Sequence, residues 1–494
     1  MTLSINDLQV LQHHRLSSET VPLQDGTSLT LQQIVRVVPH RRLVCSAVWQ
    51  GQAVFAKFFF GKRAAYYAAR DLAGVKALQA GHIATPAILA NTMSVEAESA
   101  VLLFEAIVDS ENAEALYMQG NAKQRLTLMK LVVETLAQHH RAGILQTDLY
   151  LKNFLVKVKD NCQHIYSIDG DGIRQYARIS SAQAAHNLAV LCSKMDVLEA
   201  EEWLPALFAH YQVLNPLPIT SAQLLKQSNL YRIQTAAAYA DRKVFRQCTD
   251  VNVYVDSGQY SAIASTFAAL PLPDSIKAYD TVIATSQRLK EGNTCTVALA
   301  TFADTEVVIK RYNIKNVLHR ISRLLRPTRA AASWANAHRL QLLGIATPRP
   351  IALIEQRTLG LRGKAYFLSE YVEAPDVAEY FASTTDKAMR AACIKAIVQL
   401  CYRLYLLNIS HGDMKYSNIK VVDGLPMLID LDSMQQHKYA YFAQKAHVRD
   451  LRRLMQNWQD DASLYNAFVK VFKVVYADHT PLNLAAILIR KNSQ

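Results

Sequence analysis

The sequence predicts an α+β protein built as two tandem copies of one two-lobed unit, each with a small β-rich first lobe and a larger helical second lobe. Three observations carry this. The chain has 494 residues, too many for one ordinary core and enough for two. The stretch RAGILQTDLYLKNFLVKVKDNCQHIYSIDGDG, Arg141 to Gly172, is echoed by LNISHGDMKYSNIKVVDGLPMLIDLDS, Leu407 to Ser433. In both halves, runs of alternating polarity come before a long helix-periodic stretch that leads into this segment.

The elements follow in order. The first copy reads as strands at Leu43 to Trp49 and Ala53 to Phe60, a helix from about Arg63 to Gln79, and strands at Ala87 to Ala90 and Ala100 to Ala106. A long helix, Lys123 to Ala142, then feeds the repeated segment. The second copy has strands at Thr294 to Ala300 and Glu306 to Arg311, a helix from about Thr328 to Leu343, and strands at Pro350 to Glu355 and Ala365 to Tyr371. Lys387 to Leu407 is its feeding helix. Further landmarks recur at nearly the same separation: Lys57 with Lys310, HIATP (His82 to Pro86) with GIATP (Gly344 to Pro348), Asp148 with Asp413, and Asp169 with Asp430. The helical pattern of Leu224 to Asp241 gives way to Val251 to Val255 and a Gly-, Ser- and Pro-bearing passage to Asp274. This puts the boundary near residue 245 and the domains at 1–244 and 245–494.

Composition narrows the function classes. Hydrophobic residues make up 51% and charged residues 19%, which is globular rather than disordered. The seven cysteines are scattered and never form C-x-x-C, which argues against a disulfide framework or a zinc site and for a reducing cytoplasm. No apolar run approaches the length of a membrane span, and the N-terminus has no signal-peptide pattern. A net charge of +13 points to an acidic partner: nucleic acid, anionic lipid, or a phosphorylated or carboxylated substrate. Neither a serine nucleophile elbow nor a His-Glu-x-x-His helix is present, so hydrolase readings are weak.

The repeated segment carries the chemistry. Asp413 comes five residues before Asn418, a short strand and an Asp423-Gly424 turn follow, and Asp430 and Asp432 close the segment. Phosphoryl transfer needs positioned charges more than covalent chemistry. One carboxylate accepts the hydroxyl proton, while an Asn on the same loop and an Asp on the next strand hold Mg2+ against nucleotide phosphates. The pattern is that of a protein-kinase-like phosphotransferase, with Asp413 as base, Asn418 and Asp430 as metal ligands and Lys415 near the transferring phosphate. Asp148, Asn153 and Asp169 are the counterparts in the first copy, where Gln146-Thr147 replaces His411-Gly412 and the lysine falls at Lys152. Either copy can be the active one, and the second has the more typical loop.

Lys57 and Lys310 end strands where such a fold places the lysine that meets nucleotide phosphates. A helix acid ordinarily pairs with it. The first copy offers Asp71, but the second has Ser333 at the aligned position. Neither copy has a Gly-rich phosphate loop, since Gly51 and Gly292 stand alone. Glu105 and Glu370 fall where the chain between lobes would meet adenine, or serve only local structure. His139 and His140 read as packing residues. The run Lys310 to Arg329 holds seven cations and no acid. It reads as a basic amphipathic helix for an anionic membrane surface, a solvated helix face, or a basic rim to the substrate site.

These residues resemble the bacterial lipopolysaccharide-core sugar kinases of the Kdo and heptose kinase type. The likeness rests on VVIKRYN (Val307 to Asn313), WANAHRLQLLGIATPRPIAL (Trp334 to Leu353), SEYV (Ser369 to Val372), HGDMKYSNI, LIDLDSM and VRDLRRL (Val448 to Leu454). TDLYLKNFLV and IYSIDGDG link the first copy to the same family more distantly. The resemblance implies a protein-kinase-like fold and an ATP- and Mg2+-dependent enzyme at the inner face of the inner membrane. Its acceptor would be a lipid-linked core saccharide rather than nucleic acid, and Lys310 and Lys57 would lie on the ATP phosphates. Two rivals stand beside it: a non-catalytic pair that regulates or scaffolds envelope synthesis, and a kinase with a protein or small-molecule acceptor.

Overall fold

A computed structural model describes residues 15–476 apart from 39, 96–98, 161, 257, 293–294, 313–326 and 359–360. Most of the basic run Lys310 to Arg329 therefore lies outside the described residues, as does Thr294. The chain divides into two compact units, Met1–Ser228 and Asn229–Gln494, and mixes helix with sheet in both.

The first unit opens with a six-stranded antiparallel sheet made of β1 (Arg15–Pro22), β2 (Ser28–Val38), β3 (Arg42–Trp49), β4 (Gln52–Phe59), β5 (Ile88–Met93) and β6 (Ala100–Glu105), in the order β1-β2-β3-β4-β6-β5. Alternation drives β3 and β4: Leu43, Cys45, Ala47, Val54, Ala56 and Phe58 all turn into one core. β1 and β2 go beyond the sequence reading. β2 shifts register against β3 between Leu31 and Gln33 and again between Ile34 and Arg36. These irregularities break the two-residue period that would have revealed it.

Helix α1 (Ala64–Ala80) packs on this sheet through Ala68 and Val75, while Leu78 packs against Ile83, Ile144 and Ile173. Its Gly74 touches Gly170, in the turn that carries Asp169: a Cβ added at Gly74 would lie 2.0 Å from the Gly170 carbonyl oxygen. Gly74→Ala must push helix and turn apart. Overpacking of this kind is expected to cost about 3 kcal/mol in a chemical denaturation measurement. A loss within the noise of the wild type would show that the contact is not tight.

The rest of this unit is reached through β7 (Ser110–Asn112) and α2 (Ala113–Gln119). It is built on α3 (Ala122–Arg141), which starts at a capping box between Asn121 and Gln124. Then come β8 (Ile144–Gln146), β9 (Phe154–Lys159), β10 (Cys162–Ser167), β11 (Ile173–Gln175), α4 (Ser181–Cys192) and α5 (Val197–Leu214). Helix α6 (Ser221–Asp241) carries the chain into the second unit.

The second unit has a seven-stranded sheet of β12 (Val251–Val255), β13 (Gln259–Ala264), β14 (Gln287–Glu291), β15 (Cys295–Phe302), β16 (Thr305–Tyr312), β17 (Pro350–Thr358) and β18 (Leu361–Glu370), ordered β12-β13-β17-β18-β16-β15-β14. The passage after Val255 is thus strand and helix, because β13 pairs with both β12 and β17 and is followed by α7 (Ile276–Thr285). Tyr260, Ala262 and Ala264 supply the alternation, masked in sequence by small residues. Helix α8 (Arg329–Leu342) starts at the Thr328 cap. Beyond it lie α9 (Val377–Ser383), α10 (Lys387–Leu406), β19 (Ile409–Ser410), β20 (Ile419–Val422), β21 (Leu425–Leu428), β22 (Gln435–Gln436), α11 (Ala440–Gln456) and α12 (Ala462–Val475). Asp423 and Gly424 both take positive φ in the β20–β21 turn, the geometry that suits a two-residue hairpin.

Four of the five buried histidines among the described residues shift strongly with burial. Burial pushes His139 and His447 down to about 3, and His140 and His338 down to about 4. These values lie below the unfolded one, so the unfolded chain binds more protons in the interval. Stability is therefore lost as pH falls below roughly 6.5. Going from pH 7 to pH 5 is expected to cost on the order of 2 kcal/mol per histidine. Denaturation curves at the two pH values read this, and equal midpoints would refute it.

Candidate active site

In the second unit, Lys310 near the end of β16 reaches two carboxylates of one turn. It bonds Asp430, and its Nζ lies 2.9 Å from Asp432 Oδ2. Arg329, the first residue of α8, meets the same Asp432 oxygen at 2.9 Å. The Asp432 side chain is 3% exposed, so two cations, one of them reaching solvent, meet on one buried acid. Burial works against the Asp432 charge, but Lys310 and Arg329 outweigh it and hold the carboxyl below its usual range. The same acids raise Lys310 above the ordinary lysine value despite its burial and keep it protonated. Asp432 therefore fills the place that sequence alignment assigns to a helix acid. Ser333, at that helix position, bonds the Tyr312 hydroxyl instead at 2.8 Å.

The catalytic-type loop stands on its own anchors. Asn418 donates from Nδ2 to the Asp413 backbone oxygen at 2.9 Å and to its Oδ2 at 3.1 Å. Lys415 Nζ lies 3.1 Å from Asp413 Oδ2, and Arg453 Nε of α11 lies 3.6 Å from Oδ1. Partial burial would raise the Asp413 pKa, but the bonds from Lys415 and Asn418 and the charge of Arg453 bring it below the usual value. Below the loop, Asp450 of α11 accepts from the backbone N–H groups of His411, at 2.6 Å, and Gly412, at 2.9 Å. His411 donates from Nε2 to the Ile429 carbonyl at 3.0 Å, tying this loop to the Asp430 turn. Asn336 of α8 donates to the carbonyls of Leu431 and Met434, both at 2.9 Å. Gly412 has φ +82, and a Cβ there would come within 2.6 Å of the Ser433 carbonyl oxygen. Asp430 itself adopts the left-handed conformation with φ 61, aiming its side chain away from the strand before it.

A cavity of about 500 Å3 lies beside these groups and is lined by Val308, Lys310, Phe367, Tyr371, Asn418 and Asp430. That is the size of a cofactor site. Leu289 and Lys290 of the short exposed strand β14 line it too. Glu370 also borders the cavity and pairs its carboxylate with Arg349.

The first unit repeats the constellation with different anchors. Lys57 Nζ lies 2.7 Å from Asp71 Oδ2 on α1 and 3.3 Å from Asp169 Oδ1. Arg42 adds a contact to Asp169 at 3.4 Å. Burial opposes the Lys57 charge, yet Asp71 and Asp169 keep it above the ordinary lysine value. Asp169, with Lys57 and Arg42 outweighing its burial, is held low. Asn153 donates to the Asp148 backbone oxygen at 2.8 Å, and Asp169 has φ 70. Asp148 is pushed up by burial and by Asp169, which Arg36, Lys152 and Lys194 only partly offset. Asn187 takes the place of Asp450, donating to the Gln146 carbonyl at 2.8 Å while His140 bonds its side-chain oxygen at 3.0 Å. His139 bonds Ser167 Oγ at 2.9 Å, so both histidines pack and bond in the interior. Lys152 sits over the Tyr150 ring, and Glu105 ends β6 with its N–H on the Ala87 carbonyl at 2.9 Å.

Asp450, Asp432, Arg329 and Asn187 are the supports that sequence reasoning left unassigned. Asp450 carried one signal, as the lone acid between Lys438 and Asn457. No group of three or more His, Cys, Asp or Glu poised for a metal occurs among the described residues. Comparison with protein-family models matches residues 58–209 and 284–476, together more than half the chain, to a family described as Lipopolysaccharide kinase (Kdo/WaaP) family. No curated protein matches the chain.

Proposed function

The chain belongs to the Kdo/WaaP lipopolysaccharide kinase family, and we propose that it is a tandem pair of protein-kinase-like domains that transfers the γ-phosphate of ATP to a sugar hydroxyl of the lipopolysaccharide inner core. The observation that carries the proposal is that Lys310, Asn418 and Asp430 line one cavity while Asn418 also holds the Asp413 carboxylate. We assign the transfer to the second unit.

The chemistry follows from the residues. Asp413 stays ionised because Lys415, Asn418 and Arg453 surround it, so it can accept the proton of an acceptor hydroxyl. The Asn418 amide nitrogen is committed to Asp413, which leaves its oxygen for a cation together with the Asp430 carboxylate. One amide and one carboxylate are too few to hold a resident ion, and they suit a Mg2+ whose shell is completed by nucleotide phosphates and water. When bound, Mg2+ and the phosphates it carries supply the electrostatic stabilisation that phosphoryl transfer needs. Lys310, kept protonated, adds its charge at the same place. The basic balance of the chain suits an acceptor rich in phosphate and carboxylate.

Mg2+-dependent ATP consumption with a core-saccharide acceptor tests this for the wild type, Asp148→Ala, Asp413→Ala and the double variant. Asp413→Ala is expected to fall to the level of the double variant, and Asp148→Ala to retain most of the rate. If the wild type consumes no more ATP than the double variant, the kinase reading is wrong. Mass analysis of lipopolysaccharide from a strain lacking the protein tests the acceptor, since unchanged core phosphate would rule out the sugar.

A further inference from the structure

Helix α11 presents one exposed face, and only its far end, at Arg453, meets the site. Tyr441, Phe442, Lys445, Arg449, Arg452 and Arg453 fall on one side of the helix by their spacing, and all are exposed. The apolar positions between them, Ala443, Ala446, Leu451 and Leu454, are buried. Just before the helix, Lys438 and Tyr439 are exposed too.

The face is graded along its length. At its start, Tyr439, Tyr441 and Phe442 are 59%, 59% and 58% exposed. Phe442 lies 6.4 Å from Tyr439 and 5.6 Å from Tyr441 between ring centroids, so the three make a continuous apolar cluster. Lys438 and Lys445 rest their ammonium groups 5.4 Å and 4.4 Å from the Tyr439 and Tyr441 ring centroids. Every exposed charge from Lys438 to Gln456 is positive, because the one acid, Asp450, is buried beneath the catalytic-type loop. Aromatic rings flanked by lysines belong to the level of lipid headgroups, where an apolar body and a cation are both satisfied. An acidic protein surface would match the cations but would not call for three aromatics gathered at one end.

We propose that the start of this face of α11 docks on an anionic lipid surface, with Tyr439, Tyr441 and Phe442 seated among the headgroups and Lys438 and Lys445 against lipid phosphates. The other end of the helix fixes a distance. Arg453 contacts Asp413, and it follows Tyr441 by a run of helix roughly 18 Å long at 1.5 Å per residue. The helix is thus a spacer that holds the Asp413 carboxylate a set height from the surface, where a hydroxyl on a lipid-linked saccharide would stand; this use of the spacer, unlike the docking, rests on the reading under Proposed function.

Sedimentation of the full chain with vesicles tests the docking. Vesicles of equal parts phosphatidylglycerol and phosphatidylethanolamine are compared with vesicles of phosphatidylcholine alone, without nucleotide or acceptor. The wild type is expected to sediment with the anionic vesicles and to stay in solution with the neutral ones. The combined variants Tyr439→Ser, Tyr441→Ser, Phe442→Ser, and separately Lys438→Gln, Lys445→Gln, are each expected to bind at least about tenfold more weakly. For the lysines, each cation near an anionic surface contributes roughly fivefold. Both sets lie on exposed positions outside the catalytic loop, so their thermal transitions and ATP consumption with a soluble, delipidated acceptor should match the wild type. The proposal is overturned if the wild type ignores anionic vesicles, binds neutral ones equally, or is matched in binding by both variants. A chain that docks but transfers no phosphate leaves the docking intact and removes only the kinase reading.

Discussion

Asp413→Asn is expected to lower the turnover number by about 10^3-fold while leaving ATP affinity near that of the wild type. An amide cannot take the hydroxyl proton, but it keeps the size of the side chain, and Asn418 still bonds the backbone oxygen at position 413. The loop is also held from below by Asp450 on the N–H groups of His411 and Gly412, so its shape does not depend on the Asp413 carboxylate. Single-turnover measurements separate the outcomes. A variant that loses ATP affinity but keeps its rate constant would show that Asp413 binds rather than accepts the proton.

The second large effect is expected at Asp432. Asp432→Ala removes the buried acid shared by Lys310 and Arg329, and of the two cations it is the largely buried Lys310 that loses most. Breaking a buried ion pair from one side costs about 3 kcal/mol or more. The variant should lose that much in denaturation and also bind ATP more weakly, because Lys310 then keeps only its existing bond to Asp430 and loses the second carboxylate that positions it. Ser333→Ala should cost only about 1 kcal/mol, the value of its one bond to Tyr312. The folded pKa of Asp432 is depressed, so its contribution is present above its unfolded value and is lost as pH falls through the folded one. Equal effects of the Asp432 and Ser333 substitutions on ATP binding would overturn this assignment.

Much of the arrangement was legible because it is local. The Asp413-to-Asn418 spacing, the Asp423-Gly424 turn and Asp430 all sit in one stretch, and the strands around Lys57 and Lys310 alternate cleanly. What was hidden depends on partners far apart in the chain. The sequence shows Ser333 where an acid is expected, but only folding brings Asp432 to Lys310, because the left-handed Asp430 turns the chain back on itself. Asp450 is remote from the loop it supports. β1, β2 and β14 escaped notice for a different reason: bulges interrupt the period of β2, and β14 has no buried side chain.

The two lysines reverse the polarity of their helices. In the first unit the helix contributes the acid, Asp71, and the lysine leans on it. In the second unit the helix contributes a cation, Arg329, and the acid belongs to the turn. If α1 swings outward, Lys57 loses its nearest counter-charge, so the state of that site is readable from the position of one helix. In the second unit both carboxylates that meet Lys310 come from the turn rather than from α8, although Arg329 and Asn336 tie that turn to the helix. The first lysine thus takes its nearest counter-charge from its helix, and the second takes both of its counter-charges from the turn.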